Sequence, residues 1–199
     1  MTLTPSSLLP PHARQFFERT EGMISLEEAG ALFALAKDVS RGCIVEVGSY
    51  RGQSTAMLGY GSLEGSRVPV FAIEPHEEFT GVLGGKFGPP DRCAFFKAMI
   101  DSGAYQIVRL VNLSSEYVTP RWDKPVGLLW LDGDHTYQGV KRDFDCWCPH
   151  LLPDGIVAFH DSIDPALGPC RLIKEILAVG PWEILARVGA MTVIGRKKV

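Results

Sequence analysis

Ionisable side chains gather at the ends of two apolar runs of the sequence. They are Asp132, Asp134, His135, His160 and Asp161. Several such groups at the edge of a core are costly to bury unless each has a partner. Carboxylate oxygens with at most one imidazole suit a hard or borderline divalent cation such as Mg²⁺ or Mn²⁺. Asp134 or Thr136 could instead cap the helix that follows.

A glycine-containing turn, Glu46-Val47-Gly48-Ser49-Tyr50-Arg51-Gly52, follows an earlier apolar run. Glycines at 48 and 52 allow a tight turn and a close approach of a ligand to the backbone. Tyr50 stands where a dinucleotide-binding turn has its middle glycine, which disfavours a nicotinamide or flavin cofactor. Glu74 ends the next apolar run, where a carboxylate can accept hydrogen bonds from both hydroxyls of a ribose.

Short apolar runs alternate with helical patterns along the chain. The runs are 43–47, 68–73, 106–111, 126–131 and 155–160. Their nearly continuous Val, Ile and Leu content is typical of strands buried on both faces of a parallel sheet. Residues 182–187 and 190–196 are separated by only Val188 and Gly189, so at least one of these two strands should run antiparallel.

The alternation of strands and helices predicts an α/β fold with one doubly wound, mostly parallel sheet of seven strands. The predicted domain covers residues 41–199, with a helical prefix over 1–40. Ser25 and Glu28 form a capping-box pattern at the start of a helix in that prefix.

The region between the second and third predicted strands departs from this alternation. Its Gly and Pro content over 75–90 excludes helix and strand, and a long loop in a compact domain is often a functional lid. A disordered insertion is the alternative. We expect Asp91 to cap the next helix, which buries Phe95, Met99 and Phe96 and ends at Gly103.

Composition and charge argue against several classes of protein. The 199 residues carry a net charge of −3 and are 46% hydrophobic, as in an ordinary globular domain without a basic surplus for nucleic acid or anionic membranes. No apolar run approaches the ~20 residues that a membrane span needs. The five cysteines are an odd number, which favours free thiols in a reducing compartment. We therefore expect a cytoplasmic protein.

Four motifs together resemble the class I S-adenosylmethionine-dependent methyltransferases. They are E-V-G-S-x-x-G-x-S from residue 46, I-E-P from 73, L-D-G-D-H-x-Y-x-G-V-K-x-D from 131, and L-P-D-G-I-V-A-F-H-D from 152. Within that family the chain is similar to small-molecule O-methyltransferases, including the metal-dependent catechol and macrolide-sugar types. The resemblance covers residues 41–199 and implies their Rossmann-like fold.

The resemblance implies S-adenosylmethionine as the cofactor. Glu74 would hold its ribose, and the segment 112–115 would flank its adenine. Gly48, Ser49 and Gly52 would line its methionine end, with Glu46 beneath them. The full set implied to bind the cofactor is Glu46, Gly48, Ser49, Gly52, Ser54, Glu74, Ser114 and Asp132.

The resemblance also implies a metal site on Asp132, His160 and Asp161. Relatives often carry two acidic residues, or an acid and an amide, where this chain has His160-Asp161. His135 falls where catechol-type members place a catalytic lysine, and a histidine can act as a general base near neutral pH. The implied reaction is O-methylation of a small molecule at a sugar or phenolic hydroxyl, assisted by Mg²⁺ or another divalent cation.

Three alternatives stay open at this point: a metal-independent transferase with His135 as base, a non-catalytic protein that binds the cofactor or a partner, and a nucleotide-binding oxidoreductase. We expect the loop 75–90 and the prefix 1–24 to cover the acceptor. The expected apolar walls are Phe16, Phe17, Phe79 and Phe87. No large C-terminal cap is present, which leaves room for a lid from a partner chain in a homo-oligomer.

Overall fold

The computed structural model describes residues 9–197, so the first eight residues of the predicted prefix and the last two residues of the chain lie outside it. The helices are α1 (Pro11–Arg19), α2 (Leu26–Asp38), α3 (Gln53–Glu64), α4 (Pro89–Ser102), α5 (Ser115–Val118), α6 (Tyr137–Trp147) and α7 (Gly168–Val179). The strands are β1 (Cys43–Val47), β2 (Val70–Ile73), β3 (Phe79–Thr80), β4 (Lys86–Phe87), β5 (Val108–Val111), β6 (Val126–Leu131), β7 (Leu151–Phe159), β8 (Trp182–Val188) and β9 (Met191–Arg196).

The main sheet has seven strands in the order β5-β2-β1-β6-β7-β9-β8. Strands β5, β2, β1, β6 and β7 pair in parallel, and β9 runs antiparallel to both of its neighbours. This confirms the predicted α/β fold with an antiparallel C-terminal hairpin. The chain leaves β1 toward β2 on one side and later returns to β6 on the other, so a crevice opens at the carboxyl ends of these strands.

Helices cover both faces of the sheet because its central strands are apolar on both sides. All five residues of β1 are buried. On one face, α2, α3 and α4 contribute buried side chains such as Leu32, Leu58 and Phe95. On the other face, α6 and α7 contribute Phe144 and Leu172. Within residues 9–197, no helix is long and apolar enough to cross a membrane.

Local hydrogen bonds confirm two predicted helix starts. The Ser25 hydroxyl accepts from the Glu28 amide at 3.2 Å, and the Ser25 amide donates to the Glu28 carboxylate at 2.7 Å. The Thr136 hydroxyl accepts from the Gly139 amide at 3.0 Å and caps α6. Asp134 supports that cap by accepting from the Thr136 amide at 2.9 Å. Of the two candidate caps, Thr136 therefore takes the position itself.

The prediction that Gly and Pro exclude regular structure from 75–90 was wrong. Strands β3 and β4 form a small hairpin, in which the rings of Phe79 and Phe87 lie 6.0 Å apart. Gly84 has a φ of +83°, which permits the turn between them. Helix α4 then begins at Pro89, where the missing amide hydrogen of proline removes no helical bond.

Several predicted boundaries of helices and strands differ from those in the structure. Asp91 lies in the first turn of α4 and accepts from the Gly88 amide at 2.9 Å, so it is not the residue before the helix. Phe96 is half exposed rather than buried. Strand β7 begins earlier than predicted and ends at Phe159, which leaves His160 just beyond the strand. The β8–β9 hairpin turns at Gly189 and Ala190.

A buried carboxyl group ties β1 to α3. Glu46 is fully buried and accepts hydrogen bonds from the hydroxyls of Ser54, at 2.6 Å, and Thr55. Burial raises the pKa of Glu46 to about 8, although the two hydroxyl groups favour the charged form. Helix α3 also packs closely against α2, since a Cβ added at Gly61 would lie 2.2 Å from the Phe33 carbonyl oxygen.

We predict that Gly61→Ala destabilises the protein by about 1–3 kcal/mol, because the added methyl overlaps the α2 backbone. This outweighs the ~1 kcal/mol that alanine gains over glycine in a helix. Urea unfolding measures the difference. The control is Gly88→Ala, where the added Cβ comes no closer than 3.8 Å and the loss should stay below about 1 kcal/mol. An unchanged Gly61→Ala midpoint would contradict the close α2–α3 contact.

We predict that Glu46→Gln removes part of the pH dependence of stability. The folded-state pKa of Glu46 lies above the ordinary glutamate value of 4.5, so its stabilising contribution is complete below that value and is lost as the pH rises toward 8. Relative to the variant, the wild type should lose up to ~1.4 kcal/mol per pH unit between about pH 5 and 8. Urea titrations across this range test it, with the exposed Glu183→Gln as control. Parallel curves for wild type and Glu46→Gln would refute the assignment.

Candidate active site

A cavity of about 740 Å³ opens at the carboxyl ends of β1, β2, β6 and β7. Its floor is the turn after β1 together with the ends of the other strands, and its cover is the β3–β4 hairpin. Val82 and Leu83 at the hairpin tip are exposed and line this cavity beside Phe79 and Phe87. The crevice therefore has a polar floor and an apolar cover.

The turn after β1 is shaped for close approach. Gly48 has a φ of +87°, and a Cβ added there would lie 2.3 Å from the carbonyl oxygen of Asp132. Only glycine therefore fits between β1 and β6 at this point. Next to it, the Ser49 hydroxyl is buried and has no hydrogen-bond partner among residues 9–197. It is free to bond a ligand in the crevice.

The Glu74 carboxylate faces the cavity in a fixed position. Its two oxygens accept from the Tyr50 amide at 3.2 Å and from the His76 amide at 3.0 Å. His76 is buried, and its Nε2 lies 2.9 Å from the Tyr50 carbonyl oxygen. The Asn112 side chain donates to the carbonyl oxygens of Glu74 and Pro75, each at 2.6 Å. These bonds lock the strand-end turn that presents the carboxylate.

Backbone strain concentrates around the same crevice. Tyr50, His76 and Asp161 all have positive φ values, between 45° and 52°. A side chain in this region costs on the order of 1–3 kcal/mol and persists where the surrounding structure holds it. The fourth such residue in the described chain, Arg67, lies away from the cavity. Three of the four strained residues in the described chain therefore lie around the cavity.

The predicted cofactor residues divide into two groups. Glu46 and Gly52 lie beneath the turn and do not line the cavity: Glu46 bonds to α3, and Gly52 packs against Phe95 and Met99. The residues that do line it are Gly48, Ser49, Ser54, Glu74, Ser114 and Asp132.

The opposite wall holds an Asp–His cluster, which we define as Asp132, His135, His160 and Asp161. Asp132 Oδ1 lies 2.8 Å from His160 Nδ1 and 3.3 Å from His135 Nε2. Asp161 Oδ2 lies 3.6 Å from His135 Nδ1. The structure thus brings together the four side chains that the sequence placed at two separate strand ends.

Glu28 is a neighbour of this cluster that the sequence analysis missed. Its Oε1 lies 3.6 Å from His160 Nε2 and accepts from the Ala190 amide at 2.7 Å. Burial lowers the pKa of His160, but the nearby carboxylates of Asp132 and Glu28 outweigh it and raise the pKa to about 11. Burial also opposes charge on Asp132 and Glu28, yet His160 holds both pKa values below those of ordinary carboxyl groups. In the sequence Glu28 has only the signature of a capping residue.

Asp143 of α6 ends the motif that begins at residue 131, but the sequence analysis assigned it no role. It is buried and lines the cavity, and burial raises its pKa to about 6. An acidic residue within an amphipathic helix does not by itself indicate a site. Ser115, within the segment predicted to flank adenine, also lines the cavity and accepts from the Trp147 indole at 3.0 Å.

The prediction of apolar cavity walls was wrong for two of the four phenylalanines. Phe16 packs on Tyr60 in the main core, with ring centroids 6.0 Å apart, and Phe17 packs against the same core. Neither reaches the cavity, because α1 lies against α3. The prefix contributes the segment 22–24 to the cavity rim instead. Phe79 and Phe87 line the cavity as expected.

The donor atoms of the cluster differ from the set expected for Mg²⁺. One ligand atom each from Asp132, His135 and His160 lie within 4.8 Å of one another. Two imidazole nitrogens and one carboxylate oxygen suit a borderline cation, whereas Mg²⁺ takes oxygen ligands almost throughout. The side chains present therefore fit a divalent cation but do not fit Mg²⁺ as its preferred occupant.

Comparison with solved structures shows the same fold in several methyltransferases. The S-adenosylhomocysteine (SAH)-bound methyltransferase PaMTH1 of Podospora anserina has a TM-score of 0.72 and 16% identity, over 96% of this chain and 89% of that one. The O-methyltransferase of Bacillus cereus, in complex with SAH, also gives 0.72 and 16%, over 98% and 94%. TomG of Streptomyces achromogenes, an O-methyltransferase of tomaymycin synthesis bound to S-adenosylmethionine, gives 0.70 and 13%, over 98% and 93%.

Sequence comparison gives a relative and a family. The protein y4gI of Sinorhizobium fredii is 50% identical over 61 residues, which are 30% of this chain but 7% of that protein. The family model described as "Methyltransferase domain" matches residues 45–162, which is more than half of the chain and includes the crevice from β1 to the residues after β7. The chain therefore belongs to the methyltransferase-domain family and has the class I, Rossmann-like fold of S-adenosylmethionine-dependent methyltransferases.

Proposed function

We propose that the protein transfers a methyl group from S-adenosylmethionine to a hydroxyl group of a small molecule. One observation carries this proposal: a single crevice joins the Gly48–Glu74 half of the cavity to the Asp–His cluster. Methyl transfer needs a donor site and an acceptor-activating site side by side. Family membership and the SAH- and S-adenosylmethionine-bound neighbours support the choice of donor.

In this proposal the donor lies along the first half of the crevice. Glu74 accepts hydrogen bonds from the two ribose hydroxyls, since its oxygens are already aimed by the Tyr50 and His76 amides. The free Ser49 hydroxyl bonds the methionine end above Gly48. Ser114, at the end of the segment after β5, flanks the adenine. This arrangement directs the sulfonium toward the Asp–His cluster.

The acceptor lies between the cluster and the β3–β4 hairpin. Phe79, Val82, Leu83 and Phe87 offer it an apolar cover, and the cluster meets its hydroxyl. A molecule with one apolar face and one hydroxyl edge, such as a phenol or a deoxygenated sugar, suits this division. The hairpin replaces the long loop that the sequence predicted as a lid, and it performs the same covering role in this proposal.

The chemistry is an in-line displacement. The acceptor oxygen bonds to the methyl carbon, the carbon–sulfur bond breaks, and SAH leaves with the electron pair while the hydroxyl proton passes to a base. His135 lines the cavity at the exposed edge of the cluster and takes this proton in a metal-free reaction. The Asp–His cluster would hold a divalent cation, which would supply positive charge and so lower the pKa of an adjacent hydroxyl.

The proposal also includes a cytoplasmic location, a small-molecule acceptor with a sugar or phenolic hydroxyl, and assembly into homo-oligomers. It leaves nucleic acid and membranes out of the partners, which is supported by a net charge of −3. Tyr50 in the place of a middle glycine continues to disfavour an oxidoreductase.

We predict that Glu74→Ala weakens the binding of S-adenosylmethionine and SAH by tenfold or more. A loss of this size is expected when hydrogen bonds to a charged group are removed. Isothermal titration calorimetry measures it. The matched control is Glu78→Ala, a glutamate of the same cavity on the hairpin, which should leave cofactor affinity within about threefold. No binding by the wild type, or equal affinity in both variants, would sink the proposed donor site.

We predict that His135→Ala lowers kcat by about 10²–10⁴-fold while cofactor affinity changes little. Turnover is measured by mass spectrometry with a deuterated methyl donor and a panel of phenolic and sugar acceptors. The control is His12→Ala, since His12 is exposed on α1 and its ring lies against Tyr60. If the wild type binds the cofactor but methylates no acceptor in the panel, a non-catalytic cofactor-binding protein becomes the better description.

A further inference from the structure

We propose that Asp132, His135 and His160 form a site for a borderline divalent transition metal ion, such as Zn²⁺, Co²⁺, Fe²⁺ or Mn²⁺, in preference to Mg²⁺. The inference deepens the proposed function by naming the class of cation, but its test requires no turnover. Its starting point is the mismatch between the oxygen ligands that Mg²⁺ prefers and the two imidazoles found here.

The first argument is the spacing of the donor atoms. Two ligands that each lie ~2.1 Å from a metal ion, at angles between 90° and 109°, are about 3.0–3.4 Å apart. Asp132 Oδ1 lies 2.8 Å from His160 Nδ1 and 3.3 Å from His135 Nε2. Both distances are close to those between ligands of one coordination sphere, and the three side chains each offer a ligand atom within 4.8 Å of the others. The three residues follow the ends of β6 and β7.

The second argument is that neither nitrogen makes a hydrogen bond of good geometry, although both lie close to Asp132 Oδ1. His160 is 4% exposed, and its Nδ1 has no hydrogen-bond partner within the described chain, despite the short distance to Asp132. The same is true of His135 Nε2. Buried polar atoms of this kind normally have a partner. A cation shared with Asp132 would give both nitrogens a partner.

The third argument lies in the carboxylates behind the two rings. Metal-binding histidines usually present their second nitrogen to a carboxylate or carbonyl group, which fixes the ring and its tautomer. Glu28 Oε1 lies 3.6 Å from His160 Nε2, and Asp161 Oδ2 lies 3.6 Å from His135 Nδ1. Glu28 is itself held by the amides of Ser25 and Ala190, each at 2.7 Å. Each ring thus has a carboxylate near its second nitrogen.

Two imidazoles and one carboxylate also leave coordination positions open toward the cavity, as catalytic metal sites do. In this assignment Glu28 and Asp161 are positioning residues, and His135 is a ligand rather than the base. The competing description is a charged Asp132–His160–Glu28 network that holds the strand ends together without a cation. The two descriptions differ in whether a metal ion binds, which can be measured directly.

The experiment uses untagged, chelator-stripped protein, because a polyhistidine tag would bind the same ions. Calorimetry with Zn²⁺, Mn²⁺ and Mg²⁺, and visible spectroscopy with Co²⁺, give affinity, stoichiometry and ligand type. We expect one equivalent of Zn²⁺ or Co²⁺, bound at least 100-fold more tightly than Mg²⁺. His160→Ala and His135→Ala should each abolish the Co²⁺ spectrum, whereas His12→Ala should leave it unchanged.

Glu28→Gln should weaken Zn²⁺ binding by about 10–100-fold with one equivalent still bound, the effect typical of a group behind a ligand. Because it also loses part of the α2 cap, its fold is checked by circular dichroism, and Ser25→Ala is the control that impairs the cap but keeps the carboxylate. No binding of any transition metal, or Mg²⁺ bound as tightly as Zn²⁺, would overturn the inference. S-adenosylmethionine titrated in parallel separates the outcomes, since cofactor binding without metal leaves the proposed function standing.

Discussion

The position of His160 between two carboxylates is the constraint on which the site depends. Asp132 comes from the end of β6, and Glu28 comes from the first turn of α2. These polar groups are costly to bury without partners, so the three side chains must stay together whether or not a cation joins them. The requirement fixes α2 against the β8–β9 turn, where Glu28 also bonds the Ala190 amide. The helical prefix is thereby part of the wall behind the site.

The opposite half of the crevice is held by the backbone. Gly48 lets β1 turn directly against Asp132, and Tyr50 and His76 adopt positive φ values to direct their amides at Glu74. Such strain is retained because the surrounding strands and the Asn112 side chain fix the turn. One half of the crevice thus presents the Glu74 carboxylate, which backbone amides hold in place. The other half presents the Asp–His cluster, in which oppositely charged or polar groups hold one another. Methyl transfer between two bound molecules needs this kind of rigid pairing.

Much of this could be predicted from the sequence, since the signals are local. The apolar runs identified the five parallel strands, and the polar residues after them identified Glu74, Asp132, His135, His160 and Asp161. The prediction failed for residues 75–90, where Phe79 and Phe87 pair across a hairpin that their glycine-rich surroundings did not suggest. It also failed for Phe16 and Phe17, because an apolar residue on a short helix does not reveal which surface it covers.

The sequence by itself determined the order of the elements and which polar residues stand at strand ends, because hydrophobic periodicity and turn residues act over a few positions. Only the tertiary structure decided how those residues combine. The pairing of Glu28 with His160, and the meeting of His135 and His160 on Asp132, depend on contacts between elements distant in the chain. The sequence had suggested a divalent-cation site of Asp132, His160 and Asp161, with one imidazole. The contacts instead bring two imidazoles to Asp132, since strand order and helix packing set the distances between donor atoms.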